Sequence, residues 1–366
     1  MNVSKLSKDC SPFTQAVVTS MRKLYPEALA DKSFDNTGLL LEAPLDPSRL
    51  QKNSVLLAID LTTAVADEAI KNKNSVVVAY HPIIFRGLKS ITFADSQQKS
   101  LLRLAQHGIS VYSPHTAVDT VPGGMADWLC DVVTGNFTST QASKASIQTC
   151  QSSMYTAPSY PTSAIPEINE SPQGPPHTRS TIHPSPPDSI PEGFESAGAG
   201  RLVTFETPQE LTTLVDNVAR GIGMPGGIPI AIPQGSSIDQ IRIRTVGMCP
   251  GSGSGVLLRG SEIPDLLLTG EMSHHEALAA TERGSVVISL SHTNSERGYL
   301  RSVMQPKLLG ELAQGWKSLL GETAKEGQAE QTVVELVKKH VEQGEVQVSV
   351  SEADRDPYGI MIWRGN

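Results

Sequence analysis

Cysteine is scarce in this chain: four in 366 residues, Cys10, Cys130, Cys150 and Cys249, with no CxxC pair and no framework spacing. A disulfide-stapled secreted scaffold is thereby excluded, and the thiols read as reduced side chains of the cytosol. No apolar run approaches the roughly 20 residues needed to span a bilayer. The N-terminal stretch "MNVSKLSKDCSPF" lacks the apolar centre of a secretory signal, and Asp9 with the absence of arginine before Met21 argues against a mitochondrial presequence. Basic clusters are missing too, and a formal net charge of −8 excludes a surface built to coat nucleic acid. These absences predict a soluble cytoplasmic protein, with nucleus or mitochondrion as alternatives. Its partners are expected to be small molecules or proteins, with no membrane partner and no direct nucleic-acid binding.

What is present divides in three. Around "SSMYTAPSYPTSAIPEINESPQGPPHTRS" the sequence is dense in Ser, Thr and Pro, with apolar residues scattered singly. Such a stretch cannot bury enough apolar surface to offset an ordering entropy of about 1–2 kcal/mol per residue. Residues 138–200 are therefore expected to be a disordered linker, with one α/β half over 1–137 and another over 201–366. His177 and His183, inside the linker, read as solvated loop residues without a role.

In the first half "VLLAID", "VVVAY" and "ISVYSPH" are short apolar strands alternating with the helical patterns "TAVADEAIKNKN" and "SQQKSLLRLAQHG". In the second, "RLVTFE", "IRIRTVGMC", "PDLLLTG" and "SVVISLSH" alternate with "LTTLVDNVARGIG" and "SHHEALAATERG". A helix over "EQTVVELVKKHVEQG" and a strand in "EVQVSVSEADRDP" complete it. Alternation of this kind builds mostly parallel sheets, so the fold class is α/β in two similar halves.

In an open parallel sheet, ligands bind beyond the carboxyl ends of the strands. Pro82 has no N–H for a ladder, so the strand containing Val76 to Val78 must stop near His81. Other strands end in Asp60, His115, Glu271 and His292. The pairs His115/Asp119 in "HTAVD" and His292/Glu296 in "HTNSE" stand four residues apart, which brings side chains onto one helical face. Imidazole with carboxylate suits Zn, Fe, Mn, Co or Ni. Each pair taken singly is equally explained by loop capping or by a glutamate near a helix N-terminus. Agreement among several strand ends is what favours a metal.

"GEMSHHEALAA" adds His274 and His275, which point about 100° apart on a helix and so suit a pocket wall or proton transfer better than a shared ion. "GMCPGSGSGVLL" lacks the endings of a phosphate loop. Its Gly251, Gly253 and Gly255 are read as letting backbone pass close to the site, and Asp35 and Asn36 in "FDNTGLL" as turn formers.

Six stretches in order, "FDNTGLL", "AYHPIIF", "SPHTAVD", "GSGSGVL", "DLLLTGEMSHHEALAA" and "SHTNSERGYL", resemble the NGG-one-interacting-factor-three-like family, often labelled GTP cyclohydrolase homologues. The resemblance covers roughly residues 11–135 and 200–362. It implies a two-half α/β fold, a ring-shaped homo-oligomer of up to six copies, and a dimetal site with His81, His115, Asp119, His292 and Glu296 as ligands. Many bacterial members have a histidine where this chain has Tyr80, so the resemblance implies a weaker or missing second ion.

The expected function is a metal-dependent hydrolase acting on a small phosphorylated or nucleotide-like substrate through metal-activated water. It would hold one or two divalent ions, with Glu296, His115 and His274 as catalytic candidates. The alternative is a non-catalytic metal-binding scaffold that meets coactivator-type partners in transcription regulation.

Overall fold

The computed structural model describes residues 11–44, 46, 52–136, 155–156, 174–223, 227–323 and 345–361. The fold divides into two compact units, Met1–Val118 with Met304–Asp354, and Asp119–Val303 with Arg355–Asn366.

In the first unit, a five-stranded sheet runs in the order β1 (Gly38–Leu41), β4 (Ser110–Ser113), β3 (Val76–Ala79), β2 (Ser54–Ala58), β12 (Gln347–Val350). All neighbours are parallel except β1 and β4. Strands β2 and β3 are buried along their whole length, as their uninterrupted apolar sequences require. Tyr80 N–H donates to Ala58 O (2.8 Å) and His81 N–H to Ile59 O (3.0 Å), after which Pro82 has no donor to continue the ladder.

Helix α2 (Thr63–Asn72) starts at Thr62, whose side chain accepts from Val65 N–H, and α3 (Ser96–Gln106) starts at Asp95, whose side chain accepts from Gln97 and Gln98 N–H. Val65, Ala66 and Ala69 of α2, with Leu101 and Leu104 of α3, pack on Leu56, Val77 and Val111 of the sheet. Helix α1 (Pro12–Leu24) meets α10 (Gln305–Thr323), where the rings of Phe13 and Trp316 lie edge to face at 5.5 Å.

The second unit carries a six-stranded sheet ordered β6 (His177–Pro184), β7 (Gly198–Glu210), β9 (Arg242–Ser252), β10 (Leu266–Glu271), β11 (Val286–Ser289), β8 (Ile230–Ala231). Strands β9, β10 and β11 are parallel, whereas the other three pairings are antiparallel. The α/β class is as expected; the parallel character belongs to the centre of this sheet, and its flanks are antiparallel.

Two sequence boundaries move. Residues 177–184, read as linker, form β6, paired in register with β7 from His177 opposite Phe205 to Pro184 opposite Gly198. The strand is polar and largely exposed, so main-chain pairing holds it and composition hides it. Its histidines are also engaged: His177 Nδ1 lies 2.7 Å from Pro175 O and His183 Nε2 3.0 Å from Val256 O. Second, residues 304–354 belong with the first unit. Strand β12 pairs with β2, Glu68 accepts from Ser351 Oγ and from the N–H groups of Glu352 (3.1 Å) and Ala353 (3.2 Å), and Asp354 Oδ2 accepts from Ile59 N–H (2.6 Å). The helix expected over 330–344 and most of the Ser/Pro-rich stretch, with Cys10 and Cys150, lie outside the described residues. Among the described residues no helix is long and apolar enough to cross a membrane.

A buried cation pins the second unit. The guanidinium of Arg201, 3% exposed, donates from Nε to both Asp127 oxygens (3.1 Å each) and from Nη1 and Nη2 to the carbonyls of Gly198, Gly200, Thr120 and Val121. It thereby fixes the backbone next to Asp119. Arg201→Met would leave a carboxylate and four carbonyls short of a donor, so we expect a loss of about 3–5 kcal/mol in urea unfolding.

Candidate functional site

Each candidate histidine begins with a tautomer. In the first unit, His81 Nδ1 lies 2.9 Å from Asp60 Oδ1, and His115 Nδ1 lies 2.6 Å from Asp35 Oδ1. In the second, His292 Nδ1 lies 3.0 Å from Glu271 Oε1. An ionised carboxylate can only accept, so the proton of each neutral ring belongs on Nδ1 and the lone pair is left on Nε2. Metal-bound histidines are oriented in this way in general. Strand geometry produces the pattern: Asp60 and His81 follow the ends of neighbouring parallel strands β2 and β3, and Glu271 and His292 lie at and after the ends of β10 and β11.

The first-unit group is aromatic as well as polar. Tyr80, 2% exposed, has its ring 4.9 Å from that of His81 and 5.4 Å from that of His115, and the two imidazoles are 5.5 Å apart. Asp35 is almost wholly covered and also accepts from the N–H (3.2 Å) and hydroxyl of Thr116. Burial works against its charge, but the bond and charge of His115 with the Thr116 donors outweigh it and hold the carboxyl below its usual range. His115 itself adopts φ +34°, a conformation L-residues rarely keep without surrounding support.

In the second unit, Glu296 is 1% exposed and its Oε1 stands 3.6 Å from His292 Nε2. Ser291, just before His292, has φ +71°. Gly251, φ +59°, stands at the carboxyl end of β9, where a Cβ would come within 2.8 Å of Glu296 Oε1 and 3.0 Å of His292 Nε2. Only glycine leaves that space open. A Cβ at Gly253 would strike Thr269 Oγ1 at 2.5 Å, so close approach of the chain is required there too, whereas Gly255 faces open space. Thr293 N–H (3.1 Å) and Oγ1 (2.7 Å) donate to Asp356 Oδ2, which fixes the backbone beside His292. Asp119, in the short helix α4 (Thr116–Thr120), belongs to the same unit. Burial pushes the Cys249 thiol up, and the negative charges of Asp119 and Glu296 push it further, so both carboxylates act on one thiol.

Helix α8 (His274–Glu282), closed at its start by the reciprocal bonds of Ser273 and Glu276, leaves His274 exposed with its ring 5.2 Å from that of His275. Among the described residues no hydrogen bond joins His274 to His292 or Glu296, and no contact supports it as a proton carrier.

His81, His292 and Glu296 each offer a ligand atom suited to a metal ion. Sequence reasoning treated Asp35 as a turn former, and only the fold reveals it as the partner of His115. Asp60 and Glu271 were legible as strand-end acids, but as ligands rather than as partners of histidines. In long-range 1H–15N spectra of chelator-treated protein near neutral pH, His115 and His292 should appear as Nδ1-protonated tautomers. Asp35→Asn and Glu271→Gln should each populate the other tautomer at its own histidine alone.

Comparison with known proteins agrees with this chemistry only at the level of kinship and fold. The protein NIF3 homolog of Schizosaccharomyces pombe is 41% identical over 79% of this chain and 86% of its own length. The NGG1-interacting factor 3 of Saccharomyces cerevisiae is 36% identical over 81% of this chain and 90% of its own. A crystal structure of a Bacillus cereus protein related to NIF3 superposes with a TM-score of 0.59 at 19% identity, covering 94% of this chain and 98% of that one. The family described as Duf34/NIF3 (NGG1p interacting factor 3) matches residues 14–319, and the chain belongs to that family.

Proposed function

We propose that this chain is a divalent-metal-binding hydrolase for a small phosphorylated or nucleotide-like substrate. One observation carries the metal: the Nε2 lone pair of His292 and the Glu296 carboxylate face each other at 3.6 Å while Glu271 occupies Nδ1. Two acceptors so placed repel unless a cation or proton joins them, and the missing Cβ of Gly251 leaves room beside both. Nitrogen with carboxylate oxygen is a donor set that divalent Zn, Fe, Mn, Co and Ni accept.

His292, Glu296 and Asp119 would hold the ion, with His81 and His115 as further proposed ligands. A bound divalent cation supplies Lewis acidity toward water and a phosphoryl oxygen. The protein's own part is to hold each imidazole in its Nδ1-protonated form and to keep Glu296 out of water. With Asp35 at Nδ1, His115 has a single lone pair, on Nε2, which serves as a ligand where the ion reaches it and otherwise as the base that takes a proton. Oligomerisation into a ring is part of the proposal and is read by sedimentation.

A second reading is a non-catalytic metal-binding regulator. The name of the Saccharomyces cerevisiae relative, NGG1-interacting factor 3, favours it, as does the buried phenol of Tyr80, a poor ligand beside the candidate histidines.

Elemental analysis of purified protein should find divalent metal, and His292→Ala and Glu296→Ala should each lower its affinity by about tenfold or more. Gly251→Ala should lower metal content by filling the space beside those ligands, and should also lower the unfolding midpoint because alanine is strained at φ +59°. Equal metal in wild type and Glu296→Ala would overturn the site. Metal that binds normally, with no turnover across a panel of phosphoesters and nucleotides, would select the regulator.

A further inference from the structure

An exposed pair of aromatic rings borders the first-unit histidine group. Phe34 is 52% exposed and Phe85 46%, and their centroids are 6.2 Å apart with planes inclined at 40°. Each also meets His115 near edge-on, at 6.4 Å and 84° for Phe34 and at 6.4 Å and 79° for Phe85.

Neither phenyl is carried by a loose segment. Asp35, next to Phe34, is bound to His115 and Thr116, and Asp31 N–H donates to Thr116 Oγ1 at 2.9 Å. Asn36 Nδ2 donates to Ile84 O, which ties the loop of Phe34 to the residue before Phe85. A phenyl ring left half in water by a backbone that is fixed gains nothing for folding from its exposed face. That face is available to a ring from outside.

The Asp35 carboxylate beside this pair is taken up by His115 and Thr116. Arg86 and Lys89 follow Phe85 in the same exposed loop, in a chain whose formal net charge is −8. Stacking faces together with cations are how proteins hold planar anionic molecules.

We propose that Phe34 and Phe85 form a stacking surface for the planar aromatic or heteroaromatic ring of an anionic ligand, with Arg86 and Lys89 meeting its negative charge. The inclined phenyls present the ring edge-on to His115, so the group that takes a proton and the group that reads the ring belong to one rigid cluster. The inference rests on the hydrolase reading for its reaction but not for its binding, because none of these four side chains is a proposed metal ligand.

The test uses two probes that differ only by a ring, adenosine 5′-monophosphate and ribose 5-phosphate. Binding to the full chain is measured by calorimetry and by saturation transfer, with metal present and after chelation. We expect adenosine 5′-monophosphate to bind more tightly, with saturation strongest on its base protons. Phe34→Ala and Phe85→Ala should each weaken it by about threefold to tenfold and leave ribose 5-phosphate unchanged. Arg86→Gln with Lys89→Gln should weaken both probes, and Phe34→Trp should retain the preference for the ring. Equal affinity of the probes, or unchanged affinity in both alanine variants, would overturn the proposal. So would a change in sedimentation mass in those variants, which would assign Phe85, Leu88, Ile91 and Phe93 to a contact between copies. Ring-dependent binding that survives chelation and Glu296→Ala supports the stacking surface even where the hydrolase reading fails.

Discussion

The structure of the site depends on one constraint, the occupation of histidine Nδ1 by a carboxylate. An imidazole free to exchange its proton between two nitrogens presents each of them now as a donor and now as an acceptor. Asp60, Asp35 and Glu271 remove that freedom at His81, His115 and His292. Each histidine then has a fixed face and a lone pair of known direction. In the second unit this turns an ordinary four-residue spacing into an arrangement that could hold a metal ion, because Glu296 lies opposite that lone pair. Burial leaves that carboxylate little water, so a proton or a cation must offset its charge.

The rest of each unit keeps those carboxylates and rings in place. The first does so with a dry parallel sheet whose strand ends deliver Asp60 and His81 side by side, and with Asp354 on the main chain beside Asp60. In the second unit, Asp356 performs the corresponding task beside His292, and Arg201 gathers the carbonyls that follow Asp119. Backbone conformations of low intrinsic population, at His115 and Ser291, survive because these bonds hold the flanking chain.

Much of this was legible in the sequence, and the limits have physical causes. Apolar strands without alternation, ended by Pro82 or by a turn, announce buried parallel strands and place His81 and His292 each at the rim of its own sheet. Helical offset announces the meeting of His292 with Glu296. The pairing of Asp35 with His115 is not legible, because 80 residues separate them and "FDNTG" is also good turn chemistry. Strand β6 escaped because its stability comes from main-chain bonds rather than from side chains that pattern reading can detect. The transfer of 304–354 to the first unit escaped because a strand's sequence states its burial and not its neighbour. Gly251 was read correctly as close backbone passage, whereas the same reading of Gly255 has no atom near it to justify it.

Strand β12 has a consequence for how the protein is made. The sheet of the first unit is completed by residues 347–350, which leave the ribosome only after the chain has passed through the second unit as far as Val303. Until then β2 presents an unpaired edge, and Ile59 lacks the carboxylate of Asp354. The second unit, apart from its return segment from Arg355 onward, can mature during synthesis, while the first must wait, its edge open to wrong partners. Such long-range closure slows folding and makes nascent first units clients for chaperones.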